Sequence, residues 1–258
     1  MKTTKLFMAI IAMLLAGATA FSQGKSLKYS DGSTALMGYL VKAKAKQKAP
    51  GVVIIHQWLG LTDHEKNTAD KLASLGYHAL AADIYGEGAK PKNLGEAGEK
   101  AGYYKTNFKV FQSRIRAAIS QLIKEGADAN NIAVIGFCFG GTGAIEAARA
   151  DFPVKGIVSF HGGLSKDTAR PNNPVKTKVL VLHGADDPFE SEEGIKSFQK
   201  EMRDGKTDWQ MIYYANAVHS FTQKEAGNDN SKGAAYNEAA AKRPWEHMKM
   251  FLSEIFTK

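Results

Sequence analysis

Cysteine is nearly missing: the 258-residue chain has one, Cys138. No internal disulfide can form, which excludes the disulfide-framed scaffolds of small secreted proteins. Long apolar runs are also missing beyond the first twenty residues. No later stretch approaches the roughly 18 residues that a spanning helix needs. Zinc-type spacings of Cys and His, internal repeats and low-complexity tracts are all absent. Acids are in short supply, with 26 Asp and Glu against 34 Lys and Arg, for a net charge of +8. The basic residues are scattered and not interleaved with aromatics, so no nucleic-acid partner is expected. The surplus charge solvates the chain or steers anionic substrates.

What is present begins with a leader-like segment. Lys2 and Lys5 precede the apolar run LFMAIIAMLLAG, and Ala18-Thr19-Ala20 fits a small-residue cleavage site. Residues 1–20 are therefore expected to be a signal peptide, with cleavage as late as Gln23 as a variant and an uncleaved anchor as the alternative. Export to the periplasm or medium follows, with no stable membrane association of the mature chain. In an exported chain a lone thiol is either an inert core side chain or one kept for chemistry.

Residues 24–258 are expected to form a single α/β domain. YSDGSTALMGYLVKA predicts a hairpin turning at Asp31-Gly32. The apolar run 49–56 predicts a buried strand, and 77–83, 131–137, 154–161, 177–184 and 209–214 predict further strands. Helices are expected over 63–75, with Thr62 or Asp63 as N-cap, and over 108–125, 142–150 and 190–202. A last helix is expected over about 235–256, interrupted at Pro244. Residues 84–107 predict a long connection with room for a short helix. Strands alternating with helices imply a mostly parallel sheet covered on both faces, with reactive groups beyond the carboxyl ends of the strands.

Those strand ends carry a pattern. After 131–137 comes Gly136-Phe137-Cys138-Phe139-Gly140-Gly141, a strand–Gly-x-Cys-x-Gly–helix turn with the shape of a nucleophile elbow. Its helix N-terminus would favour a thiolate at Cys138, and the Phe139 N–H is a candidate oxyanion donor. After 177–184 come Asp186 and Asp187, either of which could be the acid. After 209–214 comes His219. Nucleophile, acid and base in that chain order are the order of the α/β-hydrolase fold.

GFCFGG, HGADDPF and AVHSF, with IIHQWLGLTDHEKNTADKLASLGYHALAADIYG, SFHGGL and DWQMIYY, resemble the dienelactone hydrolase family from about residue 30 to the end. The resemblance implies an α/β-hydrolase fold and cleavage of an ester or lactone through a Cys138 thioester. It selects Asp187 as the acid that orients His219, and implies Trp58 N–H as a second oxyanion donor. One position departs from the family pattern. Where many members carry a glutamate that activates the thiol, this chain has Gln57, whose amide cannot take a proton. The family also implies a cation near 84–107 that reads an acidic substrate, with Lys90, Lys92, Lys100 and Lys105 as unresolved candidates.

His161 is weighed as a substrate contact against a structural role, and Trp58, Phe139 and Phe221 as pocket walls. His56, His161 and His183 close strands without metal spacing, so no metal and no cofactor are expected. A small-molecule ester or lactone, with an anionic one as a variant, is the expected partner of a monomer. Two rivals stand beside this reading: a non-hydrolytic binding protein, motivated by Gln57, and a thiol-redox protein, which lacks a resolving cysteine.

Overall fold

A computed structural model describes residues 24–44 and 48–256. The expected signal peptide lies outside the described residues. Eight strands form one sheet: β1 (Lys25–Asp31), β2 (Thr34–Val41), β3 (Gly51–Ile55), β4 (His78–Ala82), β5 (Ile132–Phe137), β6 (Gly156–Phe160), β7 (Lys178–Gly184) and β8 (Trp209–Tyr214). Their order is β1-β2-β4-β3-β5-β6-β7-β8, antiparallel across β1, β2 and β4 and parallel from β4 onward.

Both faces of the central strands are apolar, and alternate residues serve the two faces. Val53 and Ile55 of β3 face one core with Phe111, Ile115 and Leu122 of α3 (Phe108–Lys124), Ile145 of α4 (Phe139–Arg149) and Phe198 of α5 (Glu192–Asp204). Val52 and Ile54 face the other, with Leu72 of α1 (Asp63–Ser74) and Met248, Phe251 and Leu252 of α6 (Glu238–Phe256). The chain leaves β3 toward β4 on one side and β5 toward β6 on the other. The cleft between the ends of β3 and β5 is therefore the switch point where such sheets place their ligands.

Three expectations needed correction. The hairpin loop is Gly32–Ser33, one residue later than expected, because Asp31 pairs with Thr34 and Gly32 supplies φ +57. The connection 84–107 holds a full helix, α2 (Leu94–Thr106), despite three glycines. Asn93 caps it, and Ala97, Ala101 and Tyr104 form a buried stripe at helical spacing. Finally, α6 runs through Pro244 without a break. The burial of Met248, Phe251, Leu252 and Ile255 beyond the proline outweighs the one backbone hydrogen bond it removes.

Candidate active site

Cys138 sits between β5 and α4 with φ 55 and ψ −115, a strained backbone for a residue with a side chain. The turn closes because its neighbours lack side chains. A Cβ on Gly136 would lie 2.0 Å from the Gly140 carbonyl oxygen, and one on Gly140 would lie 2.1 Å from that of Ile55. The Cys138 N–H donates to Phe160 O at 3.0 Å, tying the elbow to β6.

His219 arrives from the loop after β8. Its backbone is fixed on both sides, donating to Gly233 O and accepting from Ala235 N. Its Nε2 lies 3.0 Å from Cys138 Sγ. Its Nδ1 lies 2.8 Å from Asp187 Oδ2. The other oxygen of Asp187, in the loop after β7, accepts from Phe189 N at 2.9 Å, which holds the carboxylate in place. Asp186 takes no part in this chain of contacts; its N–H donates to Ala217 O.

Burial pushes the Cys138 thiol up. The His219 hydrogen bond and charge, with smaller contributions from Lys105 and the Phe139 N–H, outweigh it and bring the thiol below its ordinary value. Burial likewise lowers His219, but its hydrogen bonds to Asp187 and Cys138 raise it to about 10. The two shifts belong to one thiolate–imidazolium pair. Such a pair presents a nucleophile and a proton donor to the same electrophile.

The cleft over Cys138 has a volume of about 390 Å³ and is walled by Trp58, Lys105, Gly163, Phe189 and Ala234, among others. Of the expected aromatic walls only Trp58 lines it. Phe139 and Phe221 are turned into the core, with Phe139 stacked on Phe111 at 4.5 Å. Phe189 takes their place, largely exposed and edge-on to His219. Its position directly after the Asp187-Pro188 turn was the available sequence signal. Phe137 and Phe160 stack in the core. Among the four candidate lysines, Lys105 at the end of α2 reaches the cleft, while Lys100 lies over the Tyr85 ring.

Gln57 is buried but directed at its own loop, where its Oε1 accepts from Leu59 N at 3.0 Å. A carboxylate stands behind that loop. Glu65, fully buried, accepts from Gln57 N, Thr62 N and Thr62 Oγ1. The Thr62-x-x-Glu65 spacing is a capping box, and it ties the Trp58 loop to the start of α1. The Trp58 carbonyl accepts from Tyr85 Oη at 2.8 Å, fixing the loop from its other side. His161 is fully buried, with Nε2 2.9 Å from Thr222 Oγ1. Burial, reinforced by the His219 charge, holds it well below the ordinary imidazole range, so it packs as a neutral ring against His219 and Phe221.

A mostly parallel sheet, a glycine-flanked elbow at its switch point and an acid and a histidine on the following loops define an α/β-hydrolase. The sequence profile of the dienelactone hydrolase family matches residues 36–256, and the chain belongs to that family. It is similar to a dienelactone hydrolase-like promiscuous phosphotriesterase from metagenomic libraries, at 38% identity and a TM-score of 0.86, covering 91% of this chain and 99% of the other. It is also similar to a probable 2-oxo-3-(5-oxofuran-2-ylidene)propanoate lactonase of Bradyrhizobium, at 25% identity over 84% of this chain and 88% of the relative. A candidate carboxymethylenebutenolidase of Salmonella typhimurium shares 26% identity over 81% of this chain and 79% of its own length.

Proposed function

We propose that the protein is a hydrolase of carboxylic esters and lactones that works through a thioester on Cys138. The observation that carries this is the unbroken relay from Cys138 Sγ to His219 Nε2 at 3.0 Å and from His219 Nδ1 to Asp187 Oδ2 at 2.8 Å. The thiolate attacks the carbonyl carbon, and the oxygen that gains charge is held by the Phe139 and Trp58 N–H groups. Imidazolium His219 gives its Nε2 proton to the departing alcohol oxygen as the C–O bond breaks. Water then gives a proton to His219 and attacks the thioester, and Cys138 leaves as thiolate. Asp187 keeps the ring oriented and stabilises its charge. Amides are poor substrates, because an amine leaves less readily than the thiolate returns.

With glutamine at 57, activation rests on His219, the α4 N-terminus and the nearby Lys105 charge. Mixing the protein with 4-nitrophenyl acetate, quenching in acid and weighing the intact chain tests the pathway. One acetyl group on Cys138, formed and lost at the rate of turnover, is expected. Turnover with no adduct at any time would overturn the thioester.

The pH dependence follows from the same pair. The thiolate is lost only as pH falls through the lowered Cys138 value, so alkylation by iodoacetamide stays fast below the ordinary thiol range. As pH rises through about 10, His219 loses its proton. Ester hydrolysis then declines while alkylation holds its plateau, because the thiolate survives and the proton donor does not. Parallel loss of both rates at high pH would refute the assignment of His219.

The basic and apolar character of residues 1–20 supports export of the mature enzyme to the periplasm or medium. Its partner is then a small ester or lactone met outside the cytoplasm.

A further inference from the structure

Behind the cleft lies a second chamber of about 470 Å³, lined by Lys105, Thr142, Gly163, Arg170 and Glu190, among others. The two spaces share Lys105, Gly163, Phe189 and Glu190 as walls. We infer that Gly163 keeps a passage open between them, and that the second chamber receives the far end of an extended ester or lactone bearing oxygen acceptors. This rests on the hydrolytic reading above.

Adjacent glycines show why position 163 is singled out. A Cβ on Gly162 would lie 2.5 Å from the backbone of Gly141, so packing forbids a side chain there. Gly163 has no such constraint. Its φ lies outside the region that favours glycine, and a Cβ would meet no backbone at close range. It would instead meet Thr142 Oγ1 at 3.2 Å, Glu190 Oε2 at 3.6 Å and Lys105 Nζ at 4.0 Å. A side chain at 163 would therefore occupy the boundary between the chambers.

The groups around that boundary present donors. Glu146 is neutralised by Arg149 and Arg170. Glu190 is taken by Leu164 N and Ser165 Oγ. Lys166 is committed to Glu201. Among the described residues, Lys105 makes no ion pair, and the Thr142 hydroxyl, on a residue only 7% exposed, has no hydrogen-bond partner. A buried hydroxyl without a partner is uncommon in a folded protein. An ammonium and an unused hydroxyl on either side of one glycine suit carbonyl, ether, carboxylate or other oxygen acceptors.

The test compares the wild type, Gly163→Ala, Gly163→Val and Thr142→Val on four esters and on an apolar match for each extended one. Two are short, 4-nitrophenyl acetate and phenyl acetate. Two are extended by a carboxylate, one on the acyl side (the 4-nitrophenyl monoester of adipic acid) and one on the alcohol side (4-acetoxybenzoate). In Gly163→Val, kcat/KM for one extended ester is expected to fall about tenfold or more relative to the short esters, and an unchanged melting temperature reports an intact fold. Gly163→Ala is expected to fall between. Whichever extended ester loses identifies the half of the substrate that enters. Thr142→Val is expected to weaken that same ester and to spare its apolar match, 4-nitrophenyl hexanoate for the acyl side or 4-isopropylphenyl acetate for the alcohol side. Equal change on all esters in the Gly163 variants overturns the passage. Equal change on the polar and apolar partners in Thr142→Val overturns the acceptor chemistry. Failure of the thioester reading would show separately, as hydrolysis that survives Cys138→Ala.

Discussion

Cys138→Ala is expected to lower kcat/KM for activated esters by about 10⁴-fold or more, with the melting temperature nearly unchanged. The two halves of that expectation come from different physics. In the proposed mechanism the thiolate forms the bond that breaks the ester, so without it only the Phe139 and Trp58 N–H groups would remain, with residual catalysis. The stability holds because alanine at φ 55 carries the same backbone strain as cysteine and leaves Gly136 and Gly140 to close the turn. What changes inside is the loss of a sulfur beside His219 and of the charge pair between them. Steady-state kinetics on 4-nitrophenyl acetate, beside a thermal melt, checks both. An alanine variant within tenfold of the wild type would show that a group other than Cys138 performs the attack.

The second large effect lies in stability. Arg149 is almost completely buried, 4% exposed at its side chain, between the equally buried carboxylates of Glu146 and Glu201. Its Nη2 also donates to Leu164 O at 2.6 Å. Arg149→Met keeps the bulk and removes the charge. Two buried carboxylates then keep only Arg170 and Lys166 as cations, with Gln112 Nε2 donating to Glu146. Breaking a buried pair by removing one partner costs about 3–5 kcal/mol, and urea unfolding of the variant is expected to show a loss of that size. A loss below about 1 kcal/mol, the range of surface ion pairs, would mean that water already reaches the cluster. Leu164 stands next to Gly163, so the same substitution also loosens the wall of the second chamber.

The architecture was legible because its central strands are apolar on both faces and short, and helices such as α3 carry one apolar stripe. Periodicity reads those patterns directly. Cys138 was legible because it directly follows a strand, and His219 because it sits in the short loop just beyond the last one, where the chain has little freedom about which end of the sheet it reaches. Choosing Asp187 over Asp186 needed the family pattern. What was not legible depends on packing and on the direction individual side chains take. The α2 helix has three glycines, and only the packing of Ala97, Ala101 and Tyr104 makes it form. The direction of the Gln57 side chain is set by Leu59 N, two residues on, which neither composition nor spacing reveals. Phe139 and Phe221 are large and apolar, and nothing local says whether such a side chain faces a cleft or a core. The pairing of Arg149 with Glu201 spans 52 residues and appears only once α4 and α5 lie on the same face.

That last point bears on how the site comes into being. Cys138 and His219 are 81 residues apart, and Asp187 and His219 are 32 apart. As the chain is synthesised, the cysteine emerges well before the histidine, and until the loop after β8 docks, its thiol lacks the His219 hydrogen bond and charge, the strongest of the influences that lower its pKa. On the proposed mechanism, chains that have not yet placed His219 are therefore expected to carry a less acidic and less reactive thiol. Reactivity switches on with the last parallel strand, so labelling at mildly acidic pH counts the molecules that have completed the sheet.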